Sequence, residues 1–157
     1  TSRGSCYWET YKKESKKDFI FAVGRRKSSV ARVRLYENVK DIPGGAEKIK
    51  KGDIIVNNKK IGEYFQGIVS QAYYSEPFRI TNTESKYTIT IKTEGGGKRG
   101  QLLAVVHAVS RALSKTDPKN RAILKKRGLL TRDARVRERR KVGMGGKARR
   151  KKQSPKR

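Results

Sequence analysis

The chain has 157 residues, with 41 Lys or Arg against 14 Asp or Glu and a formal net charge of +27. That length suits one domain with appendages, and a hydrophobic content of 34% is low for a chain folded throughout. A single cysteine, Cys6, excludes an internal disulfide, and no apolar run approaches the roughly 18 residues that cross a bilayer. So strong a basic balance makes nucleic acid the leading partner, because phosphate neutralisation releases counterions. An anionic membrane surface is the second.

Residues 1–17 read as a basic arm, with Trp8 and two tyrosines as anchors. The arm lacks the apolar stretch of a signal peptide, and the lone Cys6 makes a reducing compartment the expectation. Phe19 to Val23 is a strand candidate, followed by a basic turn at Gly24-Arg25-Arg26-Lys27. Ala31, Val33 and Leu35 then alternate with Arg32 and Arg34, the period-two pattern of a half-buried strand. Val39 to Gly52 carries Pro43-Gly44-Gly45 and reads as a loop. Ile54-Ile55-Val56 is a short strand with Asn57-Asn58 turning out of it. Phe65, Ile68, Val69, Ala72 and Tyr73 predict a helix over 62–75 that stops before Pro77.

Tyr87, Ile89 and Ile91 alternate with Thr88, Thr90 and Lys92 in a further strand. Gln101 to Ser114 puts Leu102, Val105, Val106, Val109 and Leu113 on one stripe, opposite His107, Arg111 and Ser114. Asp117-Pro118 opens a last helix, an N-cap acid before proline at the first position, and Gly128 closes it. Leu129-Leu130 is the last apolar pair. Strands followed by helices predict an α+β fold, a two-layer arrangement with helices packed on one face of the sheet. The implied organisation is an arm at 1–17, a globular domain at 18–130 and a tail at 131–157.

Gly95, Gly97 and Gly100 match G-x-G-x-x-G between a strand and a helix. A dinucleotide site also needs an acid at the end of a second parallel strand, and Asp117 instead caps a helix. A P-loop needs Lys and Ser or Thr where Gln101-Leu102 stand. What remains is a turn presenting backbone N–H groups at a positive helix end, beside Lys98 and Arg99, suited to a phosphate. Arg25, Arg26 and Lys27, extended by Arg32 and Arg34, form a second basic stripe. His107 is the only histidine and the acids are scattered, so the residues suit neither acid–base catalysis nor a metal. No enzyme and no cofactor is expected.

From Arg139 to Arg157 there are ten Lys or Arg and no acid. No Phe, Trp or Tyr follows Tyr87, so this tail cannot stack on bases and must track phosphates. Extended, Gly143 to Arg157 reaches roughly 50 Å at ~3.3–3.6 Å per residue.

Three motifs resemble the small-subunit ribosomal protein nine family, in its bacterial or organellar form. They are Gly24-Arg25-Arg26-Lys27-Ser28-Ser29-Val30-Ala31-Arg32-Val33, then Gly95 to Gln101 continuing to Ser110-Arg111-Ala112-Leu113, and Leu130-Thr131-Arg132-Asp133-Ala134-Arg135 with Glu138-Arg139-Arg140-Lys141. The terminal Lys156-Arg157 resembles the family's last residues. The resemblance implies a fold like the second domain of ribosomal protein S five, with a left-handed β-α-β crossover and an extended basic C-terminal tail. It implies a structural component of the small ribosomal subunit, on bacterial cytoplasmic or organellar ribosomes. Its partners would be small-subunit rRNA, neighbouring proteins of the subunit head and P-site tRNA, with no membrane.

The rRNA contacts expected in the globular part are Arg25, Arg26, Lys27, Arg32, Arg34, Gly96, Gly97, Lys98, Arg99 and Arg111. Those expected at the root of the tail and along it are Arg132, Arg135, Arg139, Arg140, Lys141, Lys147, Arg149, Arg150, Lys151 and Lys152. Ser154, Lys156 and Arg157 would touch the tRNA anticodon stem-loop. Two alternatives stay open. The protein component of ribonuclease P would need an Arg-Asn-Arg helix motif, to which Lys119-Asn120-Arg121 comes nearest. A nonspecific architectural binder would leave the terminal Lys-Arg without a role.

Overall fold

A computed structural model describes residues 19–38 and 50–137. The arm at 1–17, most of the loop read over 39–52 and the tail residues from 138 onward lie outside the described residues. The elements are β1 (Ile20–Arg26), β2 (Ser29–Tyr36), β3 (Ile54–Val56), β4 (Lys59–Lys60), α1 (Ile61–Tyr64), α2 (Ile68–Thr81), β5 (Thr88–Glu94), α3 (Lys98–Thr116) and α4 (Pro118–Lys126). The fold is α+β, with one five-stranded mixed sheet in the order β1-β2-β5-β3-β4.

The alternation read in β2 sets one face of that sheet. Ala31, Val33 and Leu35 are buried while Arg32 and Arg34 are exposed. β1 and β5 both pair antiparallel with β2, with Val33 opposite Ala22 on one side and Ile91 on the other. Their inward residues join Val56, Ile89 and Leu102, Val105, Val109 and Leu113 of α3 in one core. All five residues assigned to that stripe are buried, from Leu102 to Leu113.

Gly24 lets α3 lie directly on β1. A methyl group there would stand 2.1 Å from the Ala104 carbonyl oxygen and 2.6 Å from the Ala108 nitrogen. β1 is an edge strand, and two of its carbonyls accept from cations of α3. Arg111 Nη1 donates to Val23 O, and Lys115 Nζ donates to Phe21 O at 2.8 Å. The free edge is thereby capped by side chains.

Several expectations change, and one short strand is added. The basic turn shrinks, because Gly24, Arg25 and Arg26 continue β1 and only Lys27 and Ser28 separate it from β2. Lys27 takes the left-handed conformation (φ 52°) that a two-residue hairpin turn requires. Asn57 and Asn58 likewise turn β3 back into the two-residue β4, a pairing too short to leave a sequence pattern. The predicted helix over 62–75 splits instead into α1 and α2 at Gly67, whose φ of 99° no regular helix contains. α2 then runs through Pro77 to Asn82, which caps it in the left-handed conformation. Proline forfeits one helical hydrogen bond, but Pro77 and Phe78 are the residues by which α2 enters the core. Ile68, Val69 and Tyr73, read as the helix's apolar positions, face outward.

Candidate nucleic-acid interface

The hairpin tip and the glycine turn, distant in sequence, meet in space. β5 pairs with β2 up to Val30 opposite Glu94, which carries Gly95 onto the tip. Gly96 has φ 64°, and a methyl group on it would stand 2.1 Å from Ser29 Oγ. The buried Ser29 thus fills the hollow beneath the turn, and glycine is required above it. Arg25, Lys27, Gly96, Gly97, Lys98 and Arg99 are all exposed around this junction.

Gly97 is the N-cap of α3 and provides no capping side chain. The first backbone N–H groups of a 19-residue helix therefore face outward with its positive dipole end, a geometry that suits an anionic oxygen. A polar network fixes the turn from below. Gln101 Nε2 donates to Gly95 O at 3.1 Å, and Gln101 Oε1 accepts from the Tyr64 hydroxyl at 2.8 Å. Lys98 Nζ lies 3.6 Å from the Tyr64 ring centroid, a cation–π contact that draws its charge over α1.

On the outer face of the sheet, Arg32 and Arg34 stand as expected, but each has a partner. Arg32 Nη1 is 3.0 Å from Glu94 Oε1, and Lys92 Nζ is 3.3 Å from the same oxygen. The Lys92 hydrogen bond, then Arg32, hold the Glu94 carboxyl below the ordinary range, so this trio carries a net single positive charge. The Arg34 guanidinium carbon lies 5.2 Å from the Phe19 ring centroid. The stripe is therefore weaker in free charge than the sequence implies.

Arg26 leaves the stripe altogether. It shares the face of Ala22 and Gly24, and its Nη2 is 2.9 Å from Asp133 Oδ2 while Nη1 donates to Arg135 O at 2.9 Å. Asp133 also accepts from the Arg135 side chain, at 2.7 Å from Nη2. Those hydrogen bonds, with Arg26 nearby, hold its carboxyl well below the carboxylate range. The segment after α4 is tied down a second time by His107, whose Nε2 is 3.3 Å from Leu130 O. A carbonyl only accepts, so Nε2 carries the proton. Burial, opposed by that bond and reinforced by Arg111 and Arg132, pushes the His107 pKa down.

Arg111 spends one donor on β1, while Arg132 and Arg135 are exposed. The remaining expected contacts, from Arg139 to Arg157, lie outside the described residues. Sequence reading missed the Arg26–Asp133 pair, although Asp133 is the only acid between Asp117 and Glu138. It also missed Tyr64, which nothing in the sequence ties to Lys98 or Gln101. Among the described residues no group of acids, histidines or cysteines could hold a metal ion, and no helix is long and apolar enough to cross a membrane.

The family model described as Ribosomal protein S9/S16 matches residues 24–157. The chain belongs to that family. It is 46% identical over 130 residues to the small ribosomal subunit protein uS9 of Maridesulfovibrio salexigens, covering 83% of this chain and 91% of the relative. The proteins of the same name from Desulfotalea psychrophila and Rickettsia conorii are 43% and 44% identical. These alignments cover 82% and 88% of this chain and 90% and 79% of the relatives.

Membership of the Ribosomal protein S9/S16 family makes the chain a structural ribosomal protein and not an enzyme. It also overturns the ribonuclease P reading, and the geometry agrees. Asn120, the centre of the nearest motif, is buried with Nδ2 3.5 Å from Leu113 O, so it cannot read RNA. The matched span starts at Gly24, the glycine that seats β1 on α3, and runs through the acid-free tail.

Proposed function

We propose that this protein is a structural constituent of the small ribosomal subunit that binds rRNA of the subunit head and sends its C-terminal tail to P-site tRNA. The observation that carries the reading is the extent of the family match, which includes the whole stretch from Arg139 to Arg157. That extent supports reading the tail as part of the family pattern. Small-subunit proteins are what the relatives' names describe. Their bacterial origin favours a bacterial-type ribosome, in a cytoplasm or an organelle.

In this reading residues 18–130 are the rRNA-binding domain, with an arm at 1–17 and a tail at 131–157. The junction of hairpin and glycine turn takes rRNA phosphates, with Arg25, Lys27 and Arg99 as its exposed cations and the α3 N–H groups as donors. Lys98, Arg32 and Arg34 add charge around it and Arg111 meets rRNA from the far half of α3, while Arg26 acts indirectly by holding the root of the tail. Arg132, Arg135, Arg139, Arg140, Lys141, Lys147, Arg149, Arg150, Lys151 and Lys152 neutralise phosphates along the tail's path, which orders as it binds. Ser154, Lys156 and Arg157 reach the anticodon stem-loop. The β3-α2-β5 connection is read as the left-handed crossover of the second domain of ribosomal protein S five. Neighbouring proteins of the head complete the setting.

The tRNA role is tested by deleting Gln153 to Arg157. Subunits from cells carrying only the shortened chain should retain the protein and lose affinity for P-site tRNA. Unchanged tRNA affinity would remove that role and leave the rRNA role standing.

A further inference from the structure

A cleft of about 290 Å³ opens between α3, α4 and the segment after α4, lined by Arg111, Ser114, Lys115, Arg121, Lys125, Leu130 and Thr131. Its cations come from two helices at one-turn spacing, Arg111 with Lys115 on α3 and Arg121 with Lys125 on α4. Like charges four residues apart repel, and here two such pairs share one concavity. Among the described residues no carboxylate lies within ion-pair distance of any of the four.

Two of the four are held in place by the fold. Arg111 gives one N–H to Val23 O, and Lys115 gives one to Phe21 O at 2.8 Å. A guanidinium has five N–H donors and an ammonium three, so most of their donors remain. The Ser114 hydroxyl donates to Arg111 O at 3.0 Å, which leaves Thr131 as the hydroxyl donor of the rim. Positively charged groups with N–H donors to spare around a small cavity describe the complement of an oxyanion.

We propose that this cleft is a binding site for a backbone phosphate of RNA, held by Arg111, Lys115, Arg121 and Lys125. The proposal rests on the rRNA-binding reading above and adds to it a site away from the glycine turn. The chain's own tail is excluded by its charge, having ten cations and no acid beyond Glu138. Leu130 and Thr131 immediately precede the Asp133 contact, so RNA held here lies at the root of the tail.

The test replaces the α4 pair, Arg121→Gln with Lys125→Gln. Both side chains are exposed, and matched thermal melts would establish that the fold is intact. Lys119→Gln with Lys126→Gln is the control, removing equal charge from the same helix outside the cleft. Each protein is titrated with protein-free small-subunit rRNA over a series of salt concentrations. The slope of log affinity against log salt should become shallower by about one for the cleft pair, the change expected for one lost phosphate contact. The control should keep the wild-type slope. An unchanged slope in the cleft pair, or an equal change in the control, overturns the site. If the cleft pair binds rRNA normally yet fails to enter subunits, the cleft seats an acidic protein segment and the phosphate assignment is wrong. Wild-type protein binding this rRNA no better than an unrelated RNA of equal length would sink the rRNA-binding reading itself, before any variant is compared.

Discussion

Arg26 and Asp133, in contact through Nη2 and Oδ2 at 2.9 Å, join the first strand of the fold to the segment from which the tail departs. The Arg26 side chain is only 15% exposed, and its other terminal nitrogen holds the Arg135 carbonyl. A guanidinium that contacts a carboxylate and a carbonyl at once fixes direction as well as distance. The pair fixes Asp133 and Arg135 against the end of β1.

Asp133→Asn should free that segment without unfolding the domain, because the core lies elsewhere. Trypsin should then cut faster after Arg135 and Arg137 while the melting temperature stays near that of the wild type. The pH dependence follows from the lowered pKa. A carboxyl depressed on folding contributes stability above its unfolded pKa, about 3.9, and loses it as the pH falls below that value. The clasp should therefore hold through neutral and mildly acidic pH and open only in strong acid. Fast cleavage of the wild type near pH 5 would contradict this.

His107 should make the domain sensitive to mild acid. Its folded pKa lies below the unfolded value of about 6.5. The unfolded chain therefore binds more protons in the window just below 6.5, and stability declines as the pH falls through it. Urea melts of the wild type should shift to lower midpoints between pH 7 and pH 5 by more than those of His107→Gln. Parallel curves for the two proteins would mean that His107 does not titrate as its burial requires.

Gly24 and Gly97 should respond oppositely to alanine. At Gly24 the new methyl group meets backbone of α3 at 2.1 Å, and overpacking of this kind costs about 1–3 kcal/mol. At Gly97 nothing lies within 4 Å and φ is −101°, so the same change should be close to neutral in stability. Denaturant midpoints of the two variants decide the point.

Tyr64→Phe should loosen the glycine turn while leaving the ring under Lys98. It removes the 2.8 Å bond to Gln101, a net loss of about 0.5–1.5 kcal/mol. Amide exchange at Gly96 and Gly97 should accelerate, and rRNA affinity should fall with it. Unchanged exchange would show that Gln101 holds the turn alone.

The strands and the long helix were legible because one residue type alternates or repeats there, as in Val33, Leu35 and the stripe from Leu102 to Leu113. The split between α1 and α2 was not, since Ile68, Val69 and Tyr73 imitate a buried face that the fold leaves in solvent. Pro77 misled for a related reason, because its burial with Phe78 outweighs a missing hydrogen bond that local rules count first. The two loaded motifs were visible separately, at the hairpin and the glycine turn, but only the β2–β5 register brings Ser29 under Gly96. The role of Arg26 could not be seen in its own neighbourhood. Arginine in a basic run looks free for phosphate, and a carboxylate 107 positions later in the chain claims it.

Residence in the small ribosomal subunit is open to direct measurement. Cells carrying a tagged copy should be lysed and the ribosomal subunits separated on a density gradient, at a salt concentration that strips loosely bound proteins. The protein should co-sediment with small subunits, one copy to each. Recovery near the top of the gradient, or with RNA of every size, would contradict it.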